Sequence, residues 1–378
     1  MKKIFKYLLI AGIALTLVAC SAGKTSGKNT AGNNDVDLKV KNGMYVLPRD
    51  ESSDSKYLAL NIEIKNKSNK TLNLTTRDIN LYNSDDEKVK PIQVYDSSNK
   101  FQTFAFESIS KKKSASGYVV FEVKPKEKYK LHYSPLDFGT GQKGSKDIEL
   151  KVDASKYPDN VDKVTDLAKE YIEKVFLSGN ASGKASKLST SQDSDQAAIT
   201  LLAKKDDKNA DFTLGGDLEK DRNEFVKKFI DKLGKSFTYY KPTEAELRTF
   251  VEAYAKVNAK RAKISYKVKT FLPETAVVYV RPETIGLKNL RTYDLISKFV
   301  DEHKGEYTEY NDAYKAAEKY ILENAPSQFE SLPLVTNNSV SRDGYEVKLV
   351  KKGNKWTVDT SSDTSYESLM RIFRGNTY

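Results

Sequence analysis

One cysteine, Cys20, stands near the start of this 378-residue chain, and no other follows it. That distribution excludes disulfides, thiolate zinc sites and cysteine nucleophiles from everything downstream, so stability has to come from apolar packing. The chain has 23 Tyr and 16 Phe to supply bulky core and surface aromatics, and its length suits two ordinary domains. With 30% charged residues and a mean hydropathy of -0.62 it is not a multi-span membrane protein.

Ahead of Cys20, Lys2, Lys3 and Lys6 precede an apolar run from Tyr7 to Ala19, too short for a stable membrane span. Leu17-Val18-Ala19-Cys20 resembles the bacterial lipobox, which implies that Cys20 receives a diacylglycerol, becomes the first mature residue and carries acyl chains such as palmitate. Residues 1–20 are thus expected to be a lipoprotein signal peptide, and the chain a lipid-anchored protein on the outer face of the cytoplasmic membrane. Two acyl chains give lasting attachment where one does not. Subtracting three signal lysines from the net +11 leaves +8, a moderately basic surface drawn to anionic lipids and wall polymers.

Residues 21–35 contain Gly, Ser, Thr, Asn, Ala and Lys without a large apolar side chain until Val36, and are expected to be a flexible tether. From Val36 to about Ser155 the period is two. Leu58, Leu60, Ile62 and Ile64 alternate, Asn66 to Lys70 turns the chain, and Leu72, Leu74, Ile79, Leu81 and Tyr118 to Val123 continue at close spacing. The fold expected for 36–157 is a two-layer antiparallel sandwich. The stretches YLALNIEIKNKS, DINLYNSDDEK and SASGYVVFEV, followed by Leu131-His132-Tyr133, resemble an immunoglobulin-like domain family common in Gram-positive lipoproteins; the resemblance implies no activity.

After Tyr157-Pro158 the period lengthens. Val161, Val164, Ala168, Tyr171, Ile172 and Val175 predict a helix over 159–178, and Ser178 to Asp195 reads as a mobile loop. Phe225, Phe229, Ile230 and Leu233 mark another helix, and Thr243 with Glu246 predicts a capped third. Ile264, Tyr266 and Val268 alternate as an edge strand beside a central one at Thr275 to Val280. Two further helices are expected, at Asn289 to His303 with Leu290, Tyr293, Phe299 and Val300 as its apolar side, and at Asn311 to Asn324 with Ala313, Tyr314, Ala317 and Ile321. Tyr345, Val347 and Leu349, a Gly353-Asn354 turn, then Trp356 and Val358 predict a closing hairpin. This region, 158–378, is similar to the C-terminal domain of uncharacterised Gram-positive lipoproteins and loosely to nuclear-transport-factor and cystatin-type domains. The fold class expected is α+β: an all-β immunoglobulin-like sandwich, then a helix-covered antiparallel sheet.

Chemistry is sparse. His132 and His303 fall in different regions and read as structural. Asp217, Glu219, Asp221 and Asn223 alternate as in a calcium loop, but Arg222 and Lys228 occupy the places of its glycine and final glutamate, so they read as the acidic start of a helix. Ser84 to Glu87 reads as an acidic hairpin tip, and Lys124, Lys126, Lys128 and Lys130 as lysines protecting a strand edge. The densest basic segment is Lys256, Lys260, Arg261, Lys263, Lys267 and Lys269, expected on one outward face that could dock an anionic polymer or lipid head group. No phosphate loop, HExxH or GxSxG is present. The reading is a non-catalytic binding or interaction module with no cofactor, metal or nucleic acid. Its partners would be the membrane through Cys20, anionic wall polymers or another envelope protein. The alternatives are an envelope hydrolase with a carboxylate-based site in a C-terminal pocket, or a structural subunit of an envelope complex.

Overall fold

In a computed structural model the described residues are 29–96, 98–134, 147–177, 212–336, 343–361 and 364–375. The signal segment, Leu17 to Cys20 and the loop expected at 178–195 lie outside them. The strands of the first region are β1 (Thr30–Gly32), β2 (Val36–Val46), β3 (Tyr57–Asn66), β4 (Leu72–Thr75), β5 (Ile79–Tyr82), β6 (Lys88–Val89), β7 (Phe106–Ile109), β8 (Ser114–Glu122), β9 (Lys128–Tyr133) and β10 (Ile148–Asp153). They form two antiparallel four-stranded sheets, β1-β2-β3-β8 and β10-β9-β5-β6, with β4 and β7 as a separate pair. β3 is central. Leu58, Leu60, Ile62 and Ile64 are fully buried, as the alternation predicts, and so are the intervening Tyr57 and Ala59. Asn66 ends the strand inside the protein. Its amide donates to the carbonyls of Lys70 and Ile109 at 2.7 and 2.9 Å, and its Oδ1 accepts from Ser68 N and Oγ, so the buried group is satisfied and the turn fixed.

Two expectations are corrected here. The segment read as tether is not extended coil throughout: Thr30–Gly32 pairs with Asp37–Lys39, and Asn33 Oδ1 accepts from the backbone N–H of Asp35 and Val36 to make the turn. A strand held by backbone pairing needs no large side chains of its own. The lysine-rich β9 is not an edge; it lies between β10 and β5, and Lys128 and Lys130 stand on its outer face.

The second region runs α1 (Lys163–Ile172), extended by a wider turn to Leu177, β11 (Thr213–Leu214), α2 (Leu218–Gly234), α3 (Glu244–Arg261), β12 (Lys263–Phe271), β13 (Thr275–Ile285), α4 (Thr292–Glu302), α5 (Tyr310–Asn324), β14 (Leu334–Val335), β15 (Tyr345–Lys352), β16 (Lys355–Val358) and α6 (Thr364–Phe373). Its sheet order is β11-β16-β15-β13-β12, with β14 joining β13, so β12 is an edge and β13 central as the pattern predicts. Gly353, at φ 61°, turns β15 into β16. The fold class is α+β. Helices α1, α3 and α6 pack on one face of the sheet, where Val278, Val280, Val347, Leu349 and Trp356 are buried. On the other face Val277, Tyr279 and Val350 are half-buried and Arg281, Glu283 and Lys348 are exposed. Asn258 on α3 accepts from Ile285 N–H at 3.0 Å, and Tyr254 donates to Ile285 C=O at 2.9 Å, fixing the helix to the end of β13.

The two regions meet through backbone. Leu47 and Phe271 exchange N–H···O bonds of 2.9 and 2.8 Å, Tyr45 N–H donates to Pro158 C=O, and Lys56 pairs with Asp159 at 2.6 Å. A cleft of about 230 Å³ lies at this junction beside Leu47, Lys56, Thr165 and Tyr266.

Candidate functional site

The basic segment does not make a single face. α3 turns Tyr254 and Asn258 toward the sheet, so the exposed Lys256 and Lys260 point away from it. Arg261 is turned inward, its guanidinium donating to Phe329 C=O at 2.7 Å. Lys263, Lys267 and Lys269 stand instead on the open side of the sheet. Lys263 is opposite Glu283 in the ladder, Lys267 lies 3.8 Å from Asp343, and Lys269 pairs with Glu346 while its Nζ sits 5.1 Å from the Tyr279 ring centre. One helix layer and the sheet thus separate two groups that spacing alone had joined. The open face gains Arg281 and Lys348, which sequence reasoning missed; their signal was the alternation of exposed Arg281 and Glu283, and of Glu346 and Lys348, with buried neighbours. Half-buried Val277, Tyr279 and Val350 lie among these charges.

The other polar residues that the sequence singled out are held in local structural contacts. His132 meets Glu149 across the β9–β10 ladder and Tyr82 edge-on at 5.1 Å. His303 closes α4 and its Nδ1 lies 2.8 Å from Glu306. Asp217 caps α2, accepting from Lys220 N–H at 2.9 Å, and Asn83 Oδ1 organises the acidic tip by accepting from Asp85 and Glu87 N–H. Among the described residues no group of three His, Cys, Asp or Glu side chains is placed to hold a metal. The capping box is formed as expected, and Glu246 also accepts from Tyr240 OH. That bond, with those from Thr243, holds the Glu246 carboxyl down at about 2.

A carboxylate and a tyrosine do meet in the C-terminal region. Tyr171 OH donates to Asp221 Oδ2 at 3.1 Å and lies 2.6 Å from Tyr366 OH, joining α1, α2 and α6. Burial raises the Asp221 carboxyl, while the Tyr171 bond opposes that rise. The space nearby, lined by Phe176, Phe225, Phe229 and Phe373, is about 10 Å³, the room of one water. Phe176 stacks on Phe373 and meets Phe225 edge-on, so aromatic side chains fill this interior. A groove of about 610 Å³ runs along α2 and α3, floored by buried Val226, Ile230 and Leu247 and edged by Lys227, Asp231 and Arg248.

The largest departure from expectation is on α4 and α5. Tyr293 and Val300, read on the apolar side, are 77% and 54% exposed, and Tyr314 is 52% exposed. Phe299 is buried as expected, and Leu295 shares the buried face of α4 with it. Glu318 on α5 accepts the backbone N–H groups of Thr238, Tyr239 and Tyr240 at 2.6 to 2.9 Å, and Tyr239 stacks on Tyr314 at 4.8 Å, tying this helical hairpin to the start of α3.

A β-rich first region joined to a helix-covered, mainly antiparallel sheet is the architecture this chain shares with a lipoprotein of a Gram-positive bacterium. The family profile described as domain of unknown function DUF5105 matches residues 181–374, just over half the chain, and the chain belongs to that family. A second profile, domain of unknown function DUF4352, matches residues 25–144. The uncharacterized lipoprotein YcdA of Bacillus subtilis is 26% identical over 376 residues, covering 95% of each chain. The crystal structure of YcdA matches with a TM-score of 0.61 at 20% identity, over 91% of this chain and 98% of that one, and speaks for the fold alone. The yjhA protein of Bacillus subtilis matches 33% of this chain and 96% of its own, with 18% identity and a TM-score of 0.27, too low to carry an argument. No helix among the described residues is long and apolar enough to cross a membrane.

Proposed function

We propose that this lipoprotein is a non-catalytic binding module of the cell envelope, anchored through acylated Cys20 on the outer face of the cytoplasmic membrane and facing anionic wall polymers. In this reading residues 1–20 are a signal peptide, the tether shortens to the residues before Thr30, and 36–157 is an immunoglobulin-like unit preceding the α+β unit of 158–378. The observation that carries it is the sheet face away from the packed helices, where Lys263, Lys267, Lys269, Arg281 and Lys348 outnumber Glu283, Asp343 and Glu346 and leave a cationic surplus, with Lys263, Lys267, Arg281 and Lys348 exposed. Exposed charges of this kind act through long-range attraction that salt screens. Lys256 and Lys260 add a second, separate cationic spot.

The test has two arms. Metabolic labelling with palmitate is expected to mark the chain and to fail on Cys20→Ala. Wall fragments bearing teichoic acid are expected to retain the protein at low salt, with a several-fold loss on Lys263→Glu/Lys267→Glu and on stripping the polymer. Labelling that survives Cys20→Ala, or retention indifferent to salt and to the lysines, overturns the reading.

A further inference from the structure

Helix α4 has two apolar stripes. Leu295 and Phe299 are buried, 7% and 5% exposed, whereas Tyr293, Ile296 and Val300 are 77%, 40% and 54% exposed. At about 100° per residue, positions three and seven apart share one side, and the buried pair falls on the side opposite. Tyr310 and Tyr314 repeat the exposure on α5, at 83% and 52%. Among the described residues, seven of the nine large apolar or aromatic side chains left exposed lie between Tyr239 and Tyr314. Single exposed side chains are ordinary, but such a concentration marks a surface that something covers.

Its charge identifies what. From Arg291 to Asn324 there are five Lys and Arg against eight Asp and Glu, the reverse of a chain with a net +11. Asp294, Glu302, Glu306 and Glu323 are paired within the hairpin, and Glu318 holds backbone N–H groups. Asp301, Glu309 and Asp312 are exposed and in no ion pair among the described residues. An anionic bilayer would repel these carboxylates. The open sheet face is the complement: half-buried Val277, Tyr279 and Val350 lie beside Lys263, Lys267, Lys269, Arg281 and Lys348, whose charge exceeds that of Glu283, Asp343 and Glu346 on the same face.

We propose that the α4–α5 hairpin of one copy docks on the open sheet face of a second copy, head to tail. Because the two surfaces differ, the contact is heterologous and repeats from copy to copy, as a ring where its rotation closes and as an open chain where it does not. Confinement to a membrane surface raises the effective concentration at which a modest contact acts. The inference shares the basic face with the polymer reading, so free teichoic acid competes with it.

The test uses the full acylated chain in uncharged phosphatidylcholine vesicles, with energy transfer between donor- and acceptor-labelled copies at fixed lipid dilution. Transfer above the level of random neighbours is expected, falling as salt rises. Tyr293→Ser/Val300→Ser and Lys263→Glu/Lys267→Glu are each expected to reduce it by about threefold or more. Mixing the two variants is expected to recover part of it, as pairs, because one keeps an intact sheet face and the other an intact hairpin. The exposed positions make misfolding a small risk, and unchanged circular dichroism checks it. Transfer at the random level, loss with no recovery on mixing, or lipid-dependent protection of Tyr293 that is independent of protein density overturns the proposal. Wall retention by Tyr293→Ser/Val300→Ser stays intact if polymer binding holds, so the two readings fail separately.

Discussion

Strand β3 and helix α4 are both rich in apolar side chains, yet they use them differently. β3 lies between two neighbouring strands, and its apolar residues from Tyr57 to Ile64 are buried. α4 rests on the body through Leu295 and Phe299 and leaves Tyr293, Ile296 and Val300 outside. The first element is wholly committed to the core, and the second divides its side chains between the core and the surface. Hydrophobicity alone therefore does not say what an element is for; the number of its faces that neighbours cover does.

Four measurements can break or sharpen that contrast. Ile62→Ala is expected to cost about 3–4 kcal/mol in denaturant unfolding, because a fully buried side chain leaves a cavity that a two-sided strand cannot close. A loss below about 1 kcal/mol would mean β3 is less tightly packed than its burial indicates.

A smaller effect is expected at the start of α3, against which α5 packs. Thr243→Ala is expected to cost about 1 kcal/mol, the usual worth of an N-cap side chain. The same box has a pH signature. Glu246 is held at about 2 against an ordinary 4.5, so the folded state binds its proton less readily than the unfolded chain. Its contribution is complete above about 4.5 and is lost as pH falls through about 2. Glu246→Gln is expected to flatten the acid limb of the melting curve; an unchanged limb would remove the box from the acid response. The smallest change belongs to Tyr293→Ser, expected within about 0.5 kcal/mol of the parent in a thermal melt. A cost near that of Ile62→Ala would show that the exposed stripe is packed after all.

Much of the fold was legible from spacing. The period of two at Leu58 to Ile64, the capping pair Thr243 and Glu246, and the glycine turn before Trp356 each act between residues close in sequence, and each formed as expected. The basic segment was only half legible. Its charges were visible as a cluster, but α3 ends at Arg261 and β12 begins at Lys263, and the helix and the strand present their lysines to opposite sides of the same layer. Arg281 and Lys348, more than ten residues away in the chain, join that face only through the ladders β12–β13 and β13–β15.

By itself, the sequence determined the α+β class, the alternation that builds the first region, the caps and turns, and a core that no disulfide supports after Cys20. Those features depend on local periodicity and on backbone preferences that neighbouring residues set. Tertiary structure alone decided which of α4's two apolar stripes is buried, where Arg261 points, and that Thr30–Gly32 pairs with β2. The physical reason is that a helix with apolar residues on two sides, or a small polar segment beside an unfilled edge, has more than one way to satisfy its own chemistry. The surfaces brought against it choose among them.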